Sequence, residues 1–313
     1  MTPKVTNGFH RRTVEFWSGD SFCSAWLYLP DAASEAPVPV VVMGHGLGAT
    51  RELGLAPYAG RFAAAGMAAL VFTYRHLGDS GGEPRQLLWM SKQLADWDAA
   101  LEFAAGLPEV DGSRIAVWGS SLGGGHAIAV AARHPELRAA VAQCPFTDGL
   151  ASASALGVRE SLVLFGFVVR DVLAAMRGKD PVCVPVAAAP GRPGLMTAPD
   201  ALPGMQALLP HGYEWVNRAA ARSLLSLIRY RPGRAAKRIA APTQICISTT
   251  DSVAPAAPTE RYARQAPRGE VRLYSAGHFD FYVGKAFEQL VADQTEFLVR
   301  HLRPAHVPTH LPS

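Results

Sequence analysis

Short runs of apolar residues recur between segments whose apolar positions fall three and four apart, and this alternation constrains the fold more than any other feature. Val38-Pro39-Val40-Val41-Val42-Met43, Ala69-Leu70-Val71-Phe72 and Arg114-Ile115-Ala116-Val117-Trp118 are near-continuous apolar runs, as strands buried on both faces require. Residues 57–65 and 92–105 between them carry the spacing of amphipathic helices. Strand–helix–strand alternation predicts right-handed crossovers and a mostly parallel central sheet flanked by helices, an α/β fold. Residues 12–16 and 23–29 alternate and flank Ser18-Gly19-Asp20, which predicts an antiparallel hairpin on the sheet edge.

The alternation breaks after the run 139–144. Helical patterns at 159–177 and 214–227 bracket residues 181–210, which hold seven prolines in thirty positions. That density blocks helix interiors and central strands. The stretch still carries Val182, Val184, Val186, Leu195, Met196, Met205, Leu208 and Leu209, so it is expected to pack over something, as a lid does. Strand and helix patterns resume at 243–248, 259–265, 270–274 and 285–301. The expected organisation is a core in two parts, 1–148 and 236–303. A cap inserted after the sixth strand takes 149–235, and 304–313 forms a loose tail.

The sharpest local signal is Trp118-Gly119-Ser120-Ser121-Leu122-Gly123-Gly124, a G-x-S-x-G pattern between a predicted strand and a predicted helix. A tight turn there would lift one hydroxyl above the sheet with helix N–H groups beneath it. Only Ser121 has glycine two before and two after, which favours it over Ser120 as nucleophile. A serine needs a base; His278 follows the last predicted strand behind Gly277. Asp251, directly after the strand 245–250, can hold the imidazole tautomer, with Asp148 as the weaker alternative. The oxyanion donors are expected to be the N–H of Leu122 and, from Gly44-His45-Gly46-Leu47-Gly48, the N–H of Leu47. His45 is expected to anchor that loop beside the substrate pocket, and Phe146, Phe165 and Trp215 to line it. His126 and Cys144 read as packed interior residues, and Asp79 as a loop-stabilising carboxylate.

With the elbow, the H-G-x-G loop, the order Ser121–Asp251–His278 and Arg75-His76-Leu77-Gly78-Asp79-Ser80-Gly81-Gly82 together, residues 12–302 resemble the α/β-hydrolase superfamily. Within it, the chain resembles the bacterial dienelactone-hydrolase-like and prolyl-oligopeptidase-like esterases. The resemblance implies an α/β-hydrolase fold and a serine hydrolase acting on a carboxylic ester, lactone or thioester of a largely apolar substrate. It also leaves open elimination, cyclisation or C–C cleavage by the same triad, or a catalytically dead binding protein.

Composition trims the remaining classes. Thirty Lys and Arg against 26 Asp and Glu leave +4, with no basic run beyond two residues, so no nucleic-acid partner is expected. Cys23, Cys144, Cys183 and Cys246 stand far apart without a CxxC pair, which predicts free thiols in a reducing cytoplasm and no metal site. No apolar run is long enough to span a membrane, and residues 1–17 lack a signal-peptide core. The expected partner is a small-molecule substrate with no cofactor and no membrane, and a homodimer is left open.

Overall fold

The computed structural model describes residues 8–154 and 157–303; the expected loose tail, 304–313, lies outside them. Eight strands form one sheet. In chain order they are β1 (Phe9–Ser18), β2 (Ser21–Pro30), β3 (Val38–Gly44), β4 (Ala68–Phe72), β5 (Val110–Ser120), β6 (Ala139–Gln143), and, after two short strands described below, β9 (Thr243–Ser248) and β10 (Gly269–Tyr274). Their spatial order is β1-β2-β4-β3-β5-β6-β9-β10. The hairpin β1–β2 pairs antiparallel, β2 pairs antiparallel with β4, and every other pair is parallel.

Burial on both faces explains the continuous apolar runs. Val40 and Val42 of β3 and Ile115 and Val117 of β5 enter one core, while Val41, Met43, Ala116 and Trp118 enter the other. Helices α2 (Met90–Ala105) and α3 (Leu122–Ala131) contribute to the first; α1 (Ala56–Ala64) and α9 (Gly284–Leu302) contribute to the second. The carboxyl ends of the parallel strands all lie at one edge, where α/β sheets place their ligands.

A buried amide chain ties the sheet to α9 beneath that edge. Trp118 Nε1 donates to Gln294 Oε1 at 2.8 Å, Gln294 Nε2 to Gln143 Oε1 at 3.0 Å, and Gln143 Nε2 to Ser120 Oγ at 3.1 Å. Gln294→Leu would leave the Trp118 N–H and the Gln143 carbonyl buried without partners. We expect it to cost about 2–4 kcal/mol at roughly 1–3 kcal/mol per orphaned group, measured as a lowered denaturant midpoint with an unchanged m-value.

Between β6 and β9 the chain leaves the sheet. It forms α4 (Gly149–Ser154), α5 (Val158–Met176), a ladder of β7 (Cys183–Val184) with β8 (Ala219–Ala220), α6 (Ala201–Ala207) and α7 (Ser223–Arg229). The helix α8 (Ala256–Ala263) follows β9. The proline-rich stretch is held by local contacts rather than regular structure: Asn217 Nδ2 donates to the Ala187 carbonyl, and Ala187 N–H donates to Asn217 Oδ1, both at 2.9 Å. The helix expected over 214–227 does not form at its start. Residues 214–218 are irregular because Trp215 and Asn217 spend their polar groups on other segments, and the helix begins only at Ser223.

Candidate active site

Strand β5 ends at Ser120 and α3 begins at Leu122, so Ser121 alone makes the turn, at φ 57° and ψ −119°. That conformation, in the region glycine favours, costs on the order of 1–3 kcal/mol and persists only where its surroundings overdetermine it. Here they do. Ser121 N–H donates to the Gln143 carbonyl at 2.9 Å, and its own carbonyl accepts from Gly125 and Phe146. A side chain at Gly119 would collide with the Gly123 carbonyl, and one at Gly123 with the carbonyls of Gly44 and His45. The two glycines therefore let strand, helix and the loop after β3 close on one another. Ser120 is fully buried, and its Oγ is hydrogen-bonded to Tyr282 OH at 2.5 Å.

Asp251 follows β9 and His278 follows β10. Because those strands are parallel neighbours, both residues emerge at the same edge. His278 Nδ1 donates to Asp251 Oδ2 at 2.7 Å, with both side chains almost fully buried. The other carboxylate oxygen accepts the N–H groups of Val253 and Ala254 at 2.8 and 2.6 Å, which orients it. The histidine loop is braced by Gly277 N–H on Asp280 Oδ2 at 2.8 Å and by Ser248 Oγ on the Ala276 carbonyl at 2.5 Å. Complete burial disfavours a charged ring. The Cys144 sulfur and the Asp251 carboxylate against it outweigh that, and hold the His278 pKa well above the ordinary histidine value.

Ser121 and His278 line one small cavity of about 20 Å³ together with Gly46, Leu47 and Phe279. The Ser121 hydroxyl makes no hydrogen bond among the described residues; nucleophile–base contacts in free enzymes are commonly loose and tighten around substrate. The N–H groups of Leu47 and Leu122 donate to no carbonyl among the described residues, and both residues border Ser121 in a larger cavity of about 340 Å³. Phe146, Leu195, Met196, Leu224, Leu227 and Ile228 form much of its wall, and among the described residues no Asp, Glu, Lys or Arg lines it. A hydroxyl, a buried imidazole–carboxylate pair and two free amides beside an apolar hollow can form and break an acyl intermediate.

Three expected pocket residues lie elsewhere. His45 is buried below the loop, with Nδ1 2.9 Å from the Gly46 carbonyl and Nε2 accepting the Tyr74 N–H at 3.3 Å, so it anchors the loop without reaching the cavity. Trp215 holds the same loop by donating Nε1 to the Gly48 carbonyl at 2.9 Å, and lines a separate hollow with Tyr213. Phe165 projects from the outer face of α5 and is exposed. Only Phe146 of the four borders the cavity.

A family model described as X-Pro dipeptidyl-peptidase (S15 family) matches residues 23–179, half of the chain. The quorum-quenching protein AidA of Acinetobacter baumannii is 48% identical over 287 residues, covering 92% of this chain and 94% of that one. The chain belongs to the S15 family. Membership makes it a hydrolase. Polyketide transferase ATR5 of Stachybotrys chlorohalonatus is 27% identical across 94% of this chain and 98% of its own length. The α/β hydrolase GrgF from Penicillium sp. sh18 superposes with a TM-score of 0.80 at 22% identity, covering 94% of this chain and 99% of that one, which shows the α/β-hydrolase fold.

The S15 match contains Ser121 but stops before Asp251 and His278, so the local geometry must decide between acids. Asp148 is committed elsewhere. Its Oδ2 accepts Arg231 Nε and Nη2 and Tyr262 OH at 2.7–2.9 Å, and its Oδ1 accepts the amides of Leu150 and Ala151. His126 is held by Tyr230 and Gln93, and burial pulls its pKa down to about 3. Asp79 stabilises its loop by a paired contact with Arg51.

Cys144 is the neighbour the sequence pattern did not place. Its sulfur, an Asp251 carboxylate oxygen and a His278 ring nitrogen lie within 4.8 Å of one another, and its backbone has φ 33°. Those donor types suit a zinc ion, but here the carboxylate already accepts from the ring and two amides. The one sequence cue was the position directly after β6, beside the strand that carries the acid.

Proposed function

We propose that this chain is a serine hydrolase that cleaves a carboxylic ester, lactone or thioester with an apolar acyl part, through an acyl-enzyme. The observation that carries this reading is that Ser121 borders both hollows, the small one with His278 of the buried Asp251–His278 pair and the larger one with Leu47 and Leu122, and that among the described residues no Asp, Glu, Lys or Arg lines the larger. Ser121 Oγ attacks the carbonyl as His278 Nε2 takes its proton, and the imidazolium is stabilised by Asp251. The two amides hold the oxyanion; collapse expels the alcohol or thiol, which receives the proton from His278. Water, deprotonated by His278, then hydrolyses the acyl-Ser121 ester. The segment between β6 and β9 acts as the cap: Leu195, Met196, Leu224, Leu227 and Ile228 of its wall give the acyl chain an apolar seat. The four cysteines are all free, as the proposed cytoplasmic location requires.

A dipeptidyl-peptidase must pair the substrate's terminal ammonium. Among the described residues no carboxylate lines the larger cavity, so X-Pro anilides are expected to go uncleaved. The test is a series of p-nitrophenyl esters from acetyl to decanoyl, run on wild type and on Ile228→Trp, which fills the far wall. Wild-type kcat/KM is expected to rise with chain length. The variant should lose about tenfold or more on the long esters and little on acetate, by the worth of excluded methylenes. Flat chain-length profiles in both proteins would defeat the proposed acyl seat.

The likeness to a polyketide transferase supports a second reading, in which the acyl group passes to an acceptor other than water. Turnover in ¹⁸O-water separates the two: hydrolysis labels the product acid, and transfer does not.

A further inference from the structure

Helix α5 is apolar on two faces. The inner face buries Leu164 and Val168 against Val184, Ala221 and Leu224, and Asp171 on that side accepts the N–H groups of Val182 and Arg222 at 2.8 Å. The outer face presents Val158, Leu162, Phe165, Val169, Leu173 and Met176, each between 40 and 79% exposed. The steps between them are four, three, four, four and three residues, which average the 3.6-residue helical turn. One large apolar side chain therefore repeats on every turn for about 27 Å, at about 1.5 Å of rise per residue. With Val163 included, seven of the thirteen exposed large apolar side chains among the described residues stand on this one helix. Scattered surface apolar residues are ordinary, but a row of this length marks an interaction face.

The charges beside the row are of one sign. At about 100° per residue, Arg159, Arg170 and Arg177 fall along one flank of it, roughly a quarter-turn from its centre and in line with one another. Among the described residues none of the three enters an ion pair. Arg170 lies 5.7 Å from the centroid of its own Phe167 ring, and Arg177 Nη1 donates to the Leu173 carbonyl at 3.2 Å. The acids of the helix are turned away. Glu160 falls about half a turn from the centre of the row, with its carboxylate against Gly157, and Asp171 is buried and paired with Arg222. Past the helix, Lys179 and Asp180 are both exposed and offset each other. Arginine can rest its aliphatic stem on apolar surface while its guanidinium reaches for an anion. A protein partner would have to supply a groove and matched acids along this length. A bilayer needs only its flat boundary between acyl chains and headgroups, which an in-plane helix with an apolar stripe and flanking arginines meets along its whole length.

We propose that α5 lies in the plane of an anionic lipid surface, with the row from Val158 to Met176 among the acyl chains and Arg159, Arg170 and Arg177 at the phosphate headgroups. The helix does not span: among the described residues no helix is long and apolar enough to cross a membrane. The sequence expectation of no membrane partner rests on spanning runs and a signal core, features that a surface-lying helix does not need. Because the inner face packs on Leu224, adsorption brings a wall of the larger cavity within about one helix diameter of the lipid. The binding stands whether or not the site is an acyl hydrolase.

The test is cosedimentation of the full chain with phosphatidylcholine vesicles, with and without phosphatidylglycerol, at low salt and then with added sodium chloride. Wild type is expected to pellet with the mixed vesicles about tenfold or more over the neutral ones, and to be released by salt. Leu162→Ser with Phe165→Ser, altered only at exposed positions, should bind about tenfold or more weakly. Arg159→Gln with Arg170→Gln should weaken partition about thirtyfold, at roughly fivefold per arginine, and flatten the salt dependence. Val271→Ser with Leu273→Ser, which removes exposed apolar side chains from β10 instead, should bind as wild type does. Wild type left in solution at low salt, equal binding to neutral vesicles, or binding indifferent to the Leu162 and Phe165 pair overturns the proposal. A wild-type dimer in light scattering that the same pair disperses, without vesicle binding, overturns it too and assigns the row to a protein partner.

Discussion

Ser121→Ala is expected to lower kcat/KM for an activated ester by about 10⁴-fold or more and to abolish labelling by a fluorophosphonate, read as one adduct by intact mass in wild type and none in the variant. The loss is large because the nucleophile acts as a unit with its base, so removing the oxygen makes His278 and Asp251 idle. The substitution is structurally mild. The Ser121 hydroxyl makes no hydrogen bond among the described residues, while the strained turn is held by main-chain groups that alanine retains. Stability should therefore change little, and the activity loss can be read as chemistry. The control is Ser120→Ala, one residue away. Ser120 Oγ is fully buried and bonded to Tyr282 OH, so its loss should lower stability by about 1–3 kcal/mol and leave the adduct in place. An adduct that survives Ser121→Ala and vanishes with Ser120→Ala would reverse the assignment.

What was legible in the sequence was whatever repeats or punctuates. The strands β3, β4 and β5 are apolar on both faces because both faces are buried, and a run such as 38–43 has no other comfortable home. The glycines flanking Ser121 mark a place where three backbones converge, and the crossing leaves that trace whatever the rest of the chain does. Asp251 and His278 stand out as candidates because one directly follows a predicted strand and the other lies four residues past the last one. The segment between β6 and β9 was opaque for the opposite reason. Residues 214–218 have helical spacing, yet Trp215 and Asn217 find better partners in Gly48 and Ala187, contacts between segments far apart in sequence. Phe165 belongs to an apolar helix pattern, but the pattern alone does not say which of two apolar faces turns inward. Cys144 was read as a small packed residue, as its burial supports; that it packs against the imidazole depends on where two other loops end.

Asp251→Asn is the second large effect, and it should appear in two readouts of different origin. The first is magnitude. The carboxylate accepts from His278 Nδ1, which leaves Nε2 free for the base role proposed for it. An asparagine can present its N–H₂ to Nδ1 instead, favouring the tautomer with the proton on Nε2, where it cannot accept one. A loss of about 10⁴-fold in kcat follows from the wrong tautomer alone. The second readout is pH. In wild type the His278 pKa stands well above the ordinary value of 6.5, so kcat/KM should fall as pH drops through a midpoint above 6.5 and level off on the alkaline side. Burial alone would put the midpoint lower, because a charged ring is poorly solvated there. Cys144 and Asp251 oppose that. Removing the carboxylate therefore leaves desolvation less opposed, and the acid limb of the residual activity should move to lower pH. A merely structural aspartate would lower the rate without moving that limb. A profile unchanged in position, with the rate reduced less than about tenfold, would show that His278 is held and charged by something other than Asp251.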